Sequence, residues 1–238
     1  MPASPIAILY LCRHGETAFN AAGVLQGAGI DPPLNERGQL QAQRLGERFH
    51  HVPLSLLVTT PLQRAKETLD QVAKYHPEVD MVVERGLGEI HWGELEGKEN
   101  PDLTALFAHW EAGDFDAKTR GGESPKEVED RVRPAMARVL EAALPSASGP
   151  PSSSIPSIVF VVHGRLLRIL LSSLLEGSLS KMQSYTHHNT CVNTVEVYRQ
   201  DKSKDQEGDL LAGYRFVATD LDNTTHLAGI APPSDNPT

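Results

Sequence analysis

The sequence predicts an α/β fold: a three-layer α/β/α sandwich with a mostly parallel central sheet. Short apolar runs rich in β-branched residues alternate along the chain with longer segments of helical periodicity. The run Ile158-Val159-Phe160-Val161-Val162 is continuously apolar, as expected of a strand that helices cover on both faces. With 238 residues, of which 39% are hydrophobic, the chain is long enough to bury a large core.

Six strands are expected. Five have clear apolar or alternating patterns and one is weaker. The five are 6–12, 55–59, 158–162, 192–198 and 214–218, and the weaker one is 80–84.

Four helices are predicted between these strands. The first runs from Asn35, a suitable N-cap, to His50, and the second begins at Pro61. The third begins at Ser124-Pro125-Lys126-Glu127, where Ser, Pro and Glu have the spacing of a capping box. The fourth follows His163. The expected apolar stripes are, in order, Leu40, Leu45 and Phe49; Leu62, Ala65, Leu69 and Val72; Val128, Val132, Met136 and Val139; and Leu166, Leu167, Leu170 and Leu174.

Two segments are expected to stay outside the core. Residues 145–157 are rich in Ser, Pro and Gly and are predicted to form a flexible surface loop. The strand after this loop has no sheet of its own to join, so residues 1–238 are expected to form a single domain. The tail 228–238 is predicted to be frayed.

Charge and cysteine content restrict the possible partners. The formal net charge is -9, which disfavours nonspecific binding to nucleic acid or to an anionic membrane but permits a locally positive pocket. Cys12 and Cys191 are too few for a disulfide scaffold. The first apolar run is too short for a signal peptide core or a membrane span. These features predict a cytoplasmic protein and leave its oligomeric state open.

Two histidines follow predicted strands directly. Arg13-His14-Gly15 comes after the first strand, and His163-Gly164-Arg165 comes after strand 158–162. In an open α/β sheet, ligands bind at the carboxyl ends of the strands. The sequence therefore predicts one site that contains both imidazoles and a guanidinium.

Five motifs, in order, resemble those of the histidine phosphatase superfamily, also called the phosphoglycerate mutase-like family. Asn20 and Gln26-Gly27 also follow the first motif at the family's spacing. The resemblance covers roughly residues 6 to 200. The motifs are Leu11-Cys12-Arg13-His14-Gly15-Glu16-Thr17, Pro61-Leu62-Gln63-Arg64-Ala65-Lys66-Glu67-Thr68, Leu87-Gly88-Glu89-Ile90-His91-Trp92-Gly93-Glu94-Leu95-Glu96-Gly97, Gly121-Gly122-Glu123-Ser124 and Val162-His163-Gly164.

The resemblance implies phosphoryl transfer through a phosphohistidine, with no metal and no cofactor. His14 would be the nucleophile, and Glu89 would protonate the leaving oxygen and then take a proton from water. Arg13 and Arg64 would bind the nonbridging oxygens with charge-assisted hydrogen bonds. The remaining implied phosphate-binding residues are His163 as a further donor, Gly164 at the start of an anion-favouring helix, and Asn20, Gln26 and Gly27.

Within this family, hydrolysis of a small phosphorylated metabolite is the preferred interpretation. Mutases of the family bind a second anionic group through a longer insertion with an adjacent Arg-Arg pair. Here segment 98–123 offers only Lys98, Lys118 and Arg120. A phosphoglycerate mutase activity and a fructose-2,6-bisphosphatase-type activity stay open as alternatives. A catalytically silent interaction module is the alternative from another class.

Other features compete weakly with this interpretation. Asp220-Leu221-Asp222-Asn223-Thr224 fits the Asp-x-Asp-x-Thr pattern of haloacid dehalogenase-like phosphatases, but the rest of that fold would have to follow it. His187-His188 is expected in a loop near the pocket mouth, without metal-binding partners at ligand spacing. Trp92 and Trp110 are equally compatible with the substrate cleft and with the core.

Overall fold

Six strands form one sheet in a computed structural model that describes residues 4–144, 155–201 and 208–230. Their order across the sheet is β3-β2-β4-β1-β5-β6. Strands β1 to β4 are parallel where they pair, whereas β5 is antiparallel to both β1 and β6. All six predicted strands and the mostly parallel sheet are confirmed. The bounds are β1 Ala7–Arg13, β2 Leu56–Thr59, β3 Met81–Val83, β4 Ser157–Val162, β5 Val192–Arg199 and β6 Tyr214–Asn223.

Six α-helices accompany the sheet in the described residues. The four predicted helices are present as α2, α3, α5 and α6. The additional α1 and α4 have only four and eight residues, too few to show a clear amphipathic stripe. The bounds are α1 Ala18–Ala21, α2 Glu36–Phe49, α3 Gln63–Ala73, α4 Thr104–Glu111, α5 Pro125–Ala143 and α6 Gly164–Glu176.

The central strand β4 shows how the three layers are built. Ile158, Phe160 and Val162 pack in one apolar cluster, together with buried residues of α5 and α6. Val159 and Val161 point to the opposite face and pack in a second cluster with residues of α2 and α3. Because successive side chains of a strand alternate between faces, one continuous apolar run supplies both cores. The three-layer α/β/α architecture is therefore confirmed.

Helix starts agree closely with the capping signals. The Ser124 hydroxyl accepts a hydrogen bond from the Glu127 amide at 3.2 Å, and Glu127 Oε2 accepts one from the Ser124 amide at 2.8 Å. Asn35 Oδ1 accepts from the Gly38 amide at 2.7 Å at the start of α2. These side chains satisfy amides that have no partner within the helix.

Two details of the predicted helices were wrong. Leu40 is 41% exposed, although Leu45 and Phe49 of the same helix are buried. At 3.6 residues per turn, a residue five positions before Leu45 lies about 140° away around the helix. Helix α3 begins at Gln63 rather than Pro61, with Leu62 as its N-cap.

The two segments expected outside the core are described only in part. Residues 145–154 and 231–238 lie outside the described residues. Ser157 is a buried residue of β4, so the predicted loop ends before it. Ala228 and Ile230 make backbone hydrogen bonds to Thr225 and Leu227, which places the start of the predicted tail in a turn. The single-domain assignment stays a prediction.

The described helices also bear on membrane association. In the ranges given above, none is both long and apolar enough to cross a bilayer.

Candidate active site

His14 and His163 meet at the carboxyl edge of the sheet. His14 directly follows β1, and His163 directly follows β4 as the N-cap of α6. Strands β1 and β4 are parallel neighbours, so their ends bring the two rings to a centroid distance of 5.3 Å. Both rings are buried, with residue exposures of 2% for His14 and 0% for His163.

The hydrogen bond of His14 determines its tautomer. Its Nδ1 lies 2.7 Å from the carbonyl oxygen of Gly15, and only a protonated Nδ1 can donate to a carbonyl. Nε2 of a neutral ring then carries the lone pair. Burial lowers the pKa of His14 well below its ordinary value, and the positive charges of Arg64 and Arg13 lower it further. The ring is therefore an uncharged imidazole with an available Nε2.

His163 is oriented by a threonine that the sequence analysis missed. Its Nε2 lies 2.9 Å from Oγ1 of Thr60, which also accepts a hydrogen bond from the Leu62 amide. The Thr60 hydroxyl can donate to Nε2, which leaves the proton of His163 on Nδ1. That nitrogen is buried and has no partner among the described residues. Burial, and then Arg64, lowers the pKa of His163 well below its ordinary value.

Backbone carbonyls orient Arg13 and Arg64, and Asp31 forms an additional ion pair with Arg64 Nη1 at 3.5 Å. Nη1 of Arg13 donates to the His187 carbonyl at 2.7 Å. Arg64 donates from Nη1 to the Ile30 carbonyl at 2.9 Å and from Nη2 to the Gly27 carbonyl at 2.8 Å. Carbonyl oxygens fix the planes of the two guanidinium groups and carry no net charge. The acid that pairs with Arg64, Asp31, is 37% exposed, so solvent weakens its effect on the charge of Arg64.

A cavity of about 320 Å³ opens over these groups. His163 and Gly164 are not among the described residues at its wall, since His163 lies against the ring of His14 and Gly164 begins α6. The predicted site residues that line the cavity are Arg13, His14, Asn20, Gln26, Gly27, Arg64 and Glu89. The other lining residues are Gly23, Val24, Leu25, Trp92, Asn100, Pro101, Asp102, Leu103, Thr104, Phe107 and Arg165.

Asn20 and Gln26 are oriented by Thr17. Oδ1 of Asn20 accepts from the Thr17 amide at 3.2 Å, and Oε1 of Gln26 accepts from Thr17 Oγ1 at 3.0 Å. With both amide oxygens engaged, the side-chain nitrogens are the groups that can donate to a ligand. Gly27 has a φ of +62°, and a Cβ there would overlap the carboxylate of Glu96. That position therefore requires glycine.

Glu89 occupies the amino-terminal end of α6. Its Oε1 accepts from the amides of Ile90 and Leu166, both at 2.9 Å, and its Oε2 accepts from the amide of Arg165 at 3.1 Å. The resemblance assigned the first-turn amides of this helix, beginning at Gly164, to the substrate. The amides of Arg165 and Leu166 instead bind the carboxylate of Glu89, because a helix amino terminus attracts any nearby anion.

Arg165 is a second site residue that the sequence analysis missed. Its guanidinium carbon lies 4.7 Å from the ring centroid of Phe107, and its side chain lines the cavity. The sequence places Arg165 in the first turn of a helix but does not reveal the direction of its side chain. Trp92 also lines the cavity, whereas Trp110 is a core residue that is 2% exposed.

His187 belongs to a cluster that sequence spacing did not reveal. Ligand atoms of His187, Cys191 and Asp222 lie within 4.8 Å of one another, so the expectation that His187 lacks metal-binding partners was wrong. Burial, followed by the charges of Arg168 and Arg13, lowers the pKa of His187 to about 3. The same positive charges oppose a bound cation, so the cluster carries no metal assignment.

A family model decides the relationship that the motifs suggest. Residues 9–209 match the model of the histidine phosphatase superfamily, branch 1. The chain belongs to this superfamily. A probable phosphoglycerate mutase, GpmB, from Salmonella choleraesuis (strain SC-B67) is 34% identical over 171 residues, which cover 70% of this chain and 74% of that protein.

Solved structures of similar fold include enzymes described as phosphatases. A mycobacterial glucosyl-3-phosphoglycerate phosphatase superposes with a TM-score of 0.74 at 25% identity, over 91% of this chain and 98% of that one. Mycobacterial hydrolase 1 gives a TM-score of 0.77 at 26% identity, over 91% and 99% of the two chains. YhfR from Bacillus stearothermophilus gives a TM-score of 0.70 at 26% identity, over 93% of this chain and 99% of that one. The histidine phosphatase chain therefore has relatives with both mutase and phosphatase names.

Proposed function

We propose that this chain is a metal-independent phosphomonoester hydrolase that acts through a phosphohistidine intermediate. The observation that carries this proposal is the geometry of His14: a neutral ring, its Nδ1 bound to the Gly15 carbonyl, its Nε2 available beside two guanidinium groups. A nucleophile of this kind needs a lone pair and an electropositive pocket for a dianionic phosphate. The site supplies both.

In the first step, the Nε2 lone pair of His14 attacks phosphorus, and the bond from phosphorus to the ester oxygen breaks. Arg13 and Arg64 bind the nonbridging oxygens, with the side-chain amides of Asn20 and Gln26 as neutral donors. We assign to His163 a further hydrogen bond from Nδ1 to the transferring group, because this nitrogen is buried beside the His14 ring and has no partner among the described residues. The departing alkoxide takes its proton from the carboxyl group of Glu89, which lines the same cavity.

In the second step, water attacks the phosphohistidine. The Glu89 carboxylate accepts one proton of that water as the new phosphorus–oxygen bond forms and the phosphorus–nitrogen bond breaks. The electron pair of the broken bond returns to His14 Nε2. Inorganic phosphate leaves, and both side chains regain their starting protonation. Guanidinium groups supply the positive charge and His163 supplies a neutral hydrogen-bond donor, so the proposed cycle needs no metal.

The segment after the acid motif supports hydrolysis in one respect, since its described residues bring no lysine or arginine to the cavity wall. Asn100 to Thr104 and Phe107 form one wall of the cavity. The expected cations of this region, Lys98, Lys118 and Arg120, are not among the described residues at the cavity wall. A mutase activity is the second candidate, and the 34% identity to a probable phosphoglycerate mutase favours it.

The nucleophile is tested with p-nitrophenyl phosphate. We expect the chain to release p-nitrophenol and His14→Ala to lower kcat by roughly 10³-fold or more, the scale seen when a nucleophile is removed from a preorganised site. A denaturing quench should trap an acid-labile phosphoryl group on the parent chain and none on His14→Ala. Undiminished turnover by the variant would remove His14 from the mechanism, and no turnover by either protein would favour the silent interaction module.

A product analysis separates the phosphatase from the mutase. We expect 3-phosphoglycerate to yield glycerate and inorganic phosphate, with or without 2,3-bisphosphoglycerate. Conversion to 2-phosphoglycerate that depends on the bisphosphate would establish the mutase instead. The same assay with fructose 2,6-bisphosphate tests the bisphosphatase alternative. A small phosphorylated metabolite is the proposed partner, and neither nucleic acid nor a membrane is part of the proposal.

A further inference from the structure

Arg165 is a buried cation without an ion pair in the described part of the chain. The residue is 6% exposed, and within the described ranges its guanidinium forms no ion pair with a carboxylate. Nη1 donates to Oε1 of Gln183 at 2.7 Å, and Nε has no partner in the described part of the chain. Buried arginines are normally paired, because an uncompensated charge is costly where water is excluded.

The charge of Arg165 persists at neutral pH. Burial lowers its pKa to about 9, and the neighbouring charge of Arg168 contributes in the same direction. A group with that pKa is protonated in almost every molecule at pH 7. Glu89 lies nearby, but its carboxylate is bound to backbone amides, including the amide of Arg165 itself. The Glu89 charge still acts on Arg165, but the guanidinium has no direct ion pair with it, so its N–H groups can bind another anion.

Aromatic rings hold the Arg165 guanidinium in place. Its central carbon lies 4.7 Å from the ring centroid of Phe107, 5.6 Å from that of Trp110 and 5.7 Å from that of Trp92. Rings stabilise a planar guanidinium through its faces, whereas its N–H groups point outward in its own plane. This packing restricts the side chain and leaves its edge able to donate to an anion.

The position of Arg165 separates it from the phosphate-binding pair. Arg13 and Arg64 are the guanidinium groups whose charges act on His14, whereas the Arg165 guanidinium packs on Trp92 and Phe107, which also line the cavity. Two guanidinium groups already match the charge of one phosphate dianion. A third guanidinium in the same cavity, held against Trp92 and Phe107, suits a second negative group on the substrate.

We propose that Arg165 binds a second anionic group of the substrate, a carboxylate or another phosphate, and so selects phosphomonoesters that carry one. This inference rests on the proposed function, because it assigns a specificity residue to the same site. It also corrects the sequence analysis, which sought a second anion-binding cation only in segment 98–123. The charge instead comes from the helix that follows β4.

The test compares two esters that differ in one group. 3-Phosphoglycerate carries a carboxylate where glycerol 3-phosphate carries a hydroxymethyl group. We expect the parent chain to have a higher kcat/KM for 3-phosphoglycerate. Arg165→Met keeps the length of the side chain and removes its charge. It should raise the KM for 3-phosphoglycerate by about 10- to 100-fold, the range of a charged hydrogen bond, and change values for glycerol 3-phosphate less than about threefold.

Arg168→Met is the matched control. Arg168 lies one turn further along α6 and donates to the carbonyl of Gln183 at 3.3 Å, but it is not among the described residues that line the cavity. Its loss should leave the ratio of the two kcat/KM values unchanged. Arg165→Lys covers the case in which the Met variant fails to fold, since it keeps a charge but loses the planar fork. It should lower the ratio at least about threefold.

Each result decides the inference. Equal changes for both esters in Arg165→Met, an unchanged ratio in Arg165→Lys, or no preference in the parent chain would overturn it. If no ester is hydrolysed, the proposed function fails, and calorimetric binding of the two esters to the parent chain and Arg165→Met still decides the role of Arg165. Formation of 2-phosphoglycerate would show that the chain is a mutase and not a hydrolase. A lowered ratio of the two kcat/KM values in the Arg165 variants would still support binding of the second anionic group by Arg165.

Discussion

Glu89 shows how one carboxylate can serve structure and chemistry together. Backbone amides of Ile90, Arg165 and Leu166 hold it, and the residue is still 9% exposed at the cavity wall. The amides fix the position of the group to which we assign proton transfer. A change to Gln removes the acid and keeps one acceptor oxygen for Ile90 and Leu166, but its NH2 group cannot accept from the Arg165 amide.

Glu89→Gln is expected to separate esters by their leaving groups. Without a carboxylic acid, kcat/KM for an alkyl ester should fall about 10²- to 10⁴-fold, the usual contribution of general acid catalysis. p-Nitrophenolate leaves without needing a proton, so its kcat/KM should change far less. The measurement is a leaving-group series for both proteins. Glu94→Gln, at an exposed position of the same motif, is the control, and equal slowing of all esters would argue against the acid role.

Thr60 is the second residue whose importance comes from one hydrogen bond. Thr60→Val keeps the shape of the side chain and removes the bond to His163 Nε2, so kcat should fall roughly tenfold, as for a lost buried hydrogen bond, with little change in KM. Nitrogen NMR of labelled histidine should show an altered His163 tautomer. Thr59→Val provides the comparison, because Thr59 is equally buried and bonds only weakly to the Val161 carbonyl at 3.5 Å. An unchanged kcat in Thr60→Val would refute this positioning role.

Sequence motifs predicted the location of a side chain well where the motif directly follows a predicted strand or begins a predicted helix. Arg13, His14 and Arg64 stand in motifs whose strand and helix context is readable. Thr60 and Arg165 are not readable in this way, because their contacts cross between β2, β4 and α6. A threonine before a proline and an arginine in a helix can each have many roles. The contacts of Thr60 and Arg165 become visible only when the neighbouring strands and helices are placed.

Helix α2 is pressed against the loop that follows β1. A Cβ on Gly38 would overlap the backbone carbonyl of Glu16, two residues after His14. Gly46, two turns along the same helix, lies close to Gln71 on α3, and a Cβ there would overlap the Gln71 carbonyl in the same way. Both glycines allow close packing of backbone on backbone, but only the first supports the His14 loop.

Gly38→Ala and Gly46→Ala form a matched pair. Each should lower the free energy of unfolding by about 1–3 kcal/mol, the usual cost of overpacking. Only Gly38→Ala should also lower kcat, since it displaces the loop that carries the acceptor for His14 Nδ1. Urea denaturation and p-nitrophenyl phosphate turnover measure the two effects. The idea fails if the two variants lose activity to the same extent at equal stability.

At the level of helices and strands, the strongest sequence signals are stereochemical. The capping box at Ser124 fixed the start of α5, because it satisfies specific amides of the first turn. Leu40 was wrongly predicted to be buried, because an apolar residue belongs to the buried stripe only if its angle around the helix axis matches that of Leu45 and Phe49. The short helices α1 and α4 were missed since their stability comes from packing and not from their own periodicity.

The molecule as a whole buries several imidazoles among arginines. Burial is the main cause that lowers the pKa of His14, His163 and His187 in the folded chain, with guanidinium charges adding to it. In the unfolded chain these residues titrate near 6.5. Between that value and the lower folded values, the unfolded chain binds more protons. Folding stability contributed by these groups is therefore complete above about pH 6.5 and is lost as the pH falls below it.

Stability should accordingly decline from pH 7 to pH 5. Each such histidine contributes a slope of up to about 1.4 kcal/mol per pH unit below 6.5. Urea denaturation at fixed ionic strength gives this slope. His187→Gln should reduce the slope of the unfolding free energy by the contribution of about one proton between pH 5 and 6. The reason is that the pKa of His187 is about 3 in the folded chain. Constant stability across this interval would contradict the buried, neutral state of the three rings.

The amino-acid pattern alone was enough for the fold class, the strands and longer helices, and the meeting of the two strand-end histidines. These properties depend on periodicity, capping and residue type, which are local. The three-dimensional packing alone brought Arg165 and its aromatic cage to the cavity and joined Thr60 to His163. It also directed the α6 amides to Glu89. These contacts join residues far apart in the chain, and their geometry depends on how whole elements pack against one another.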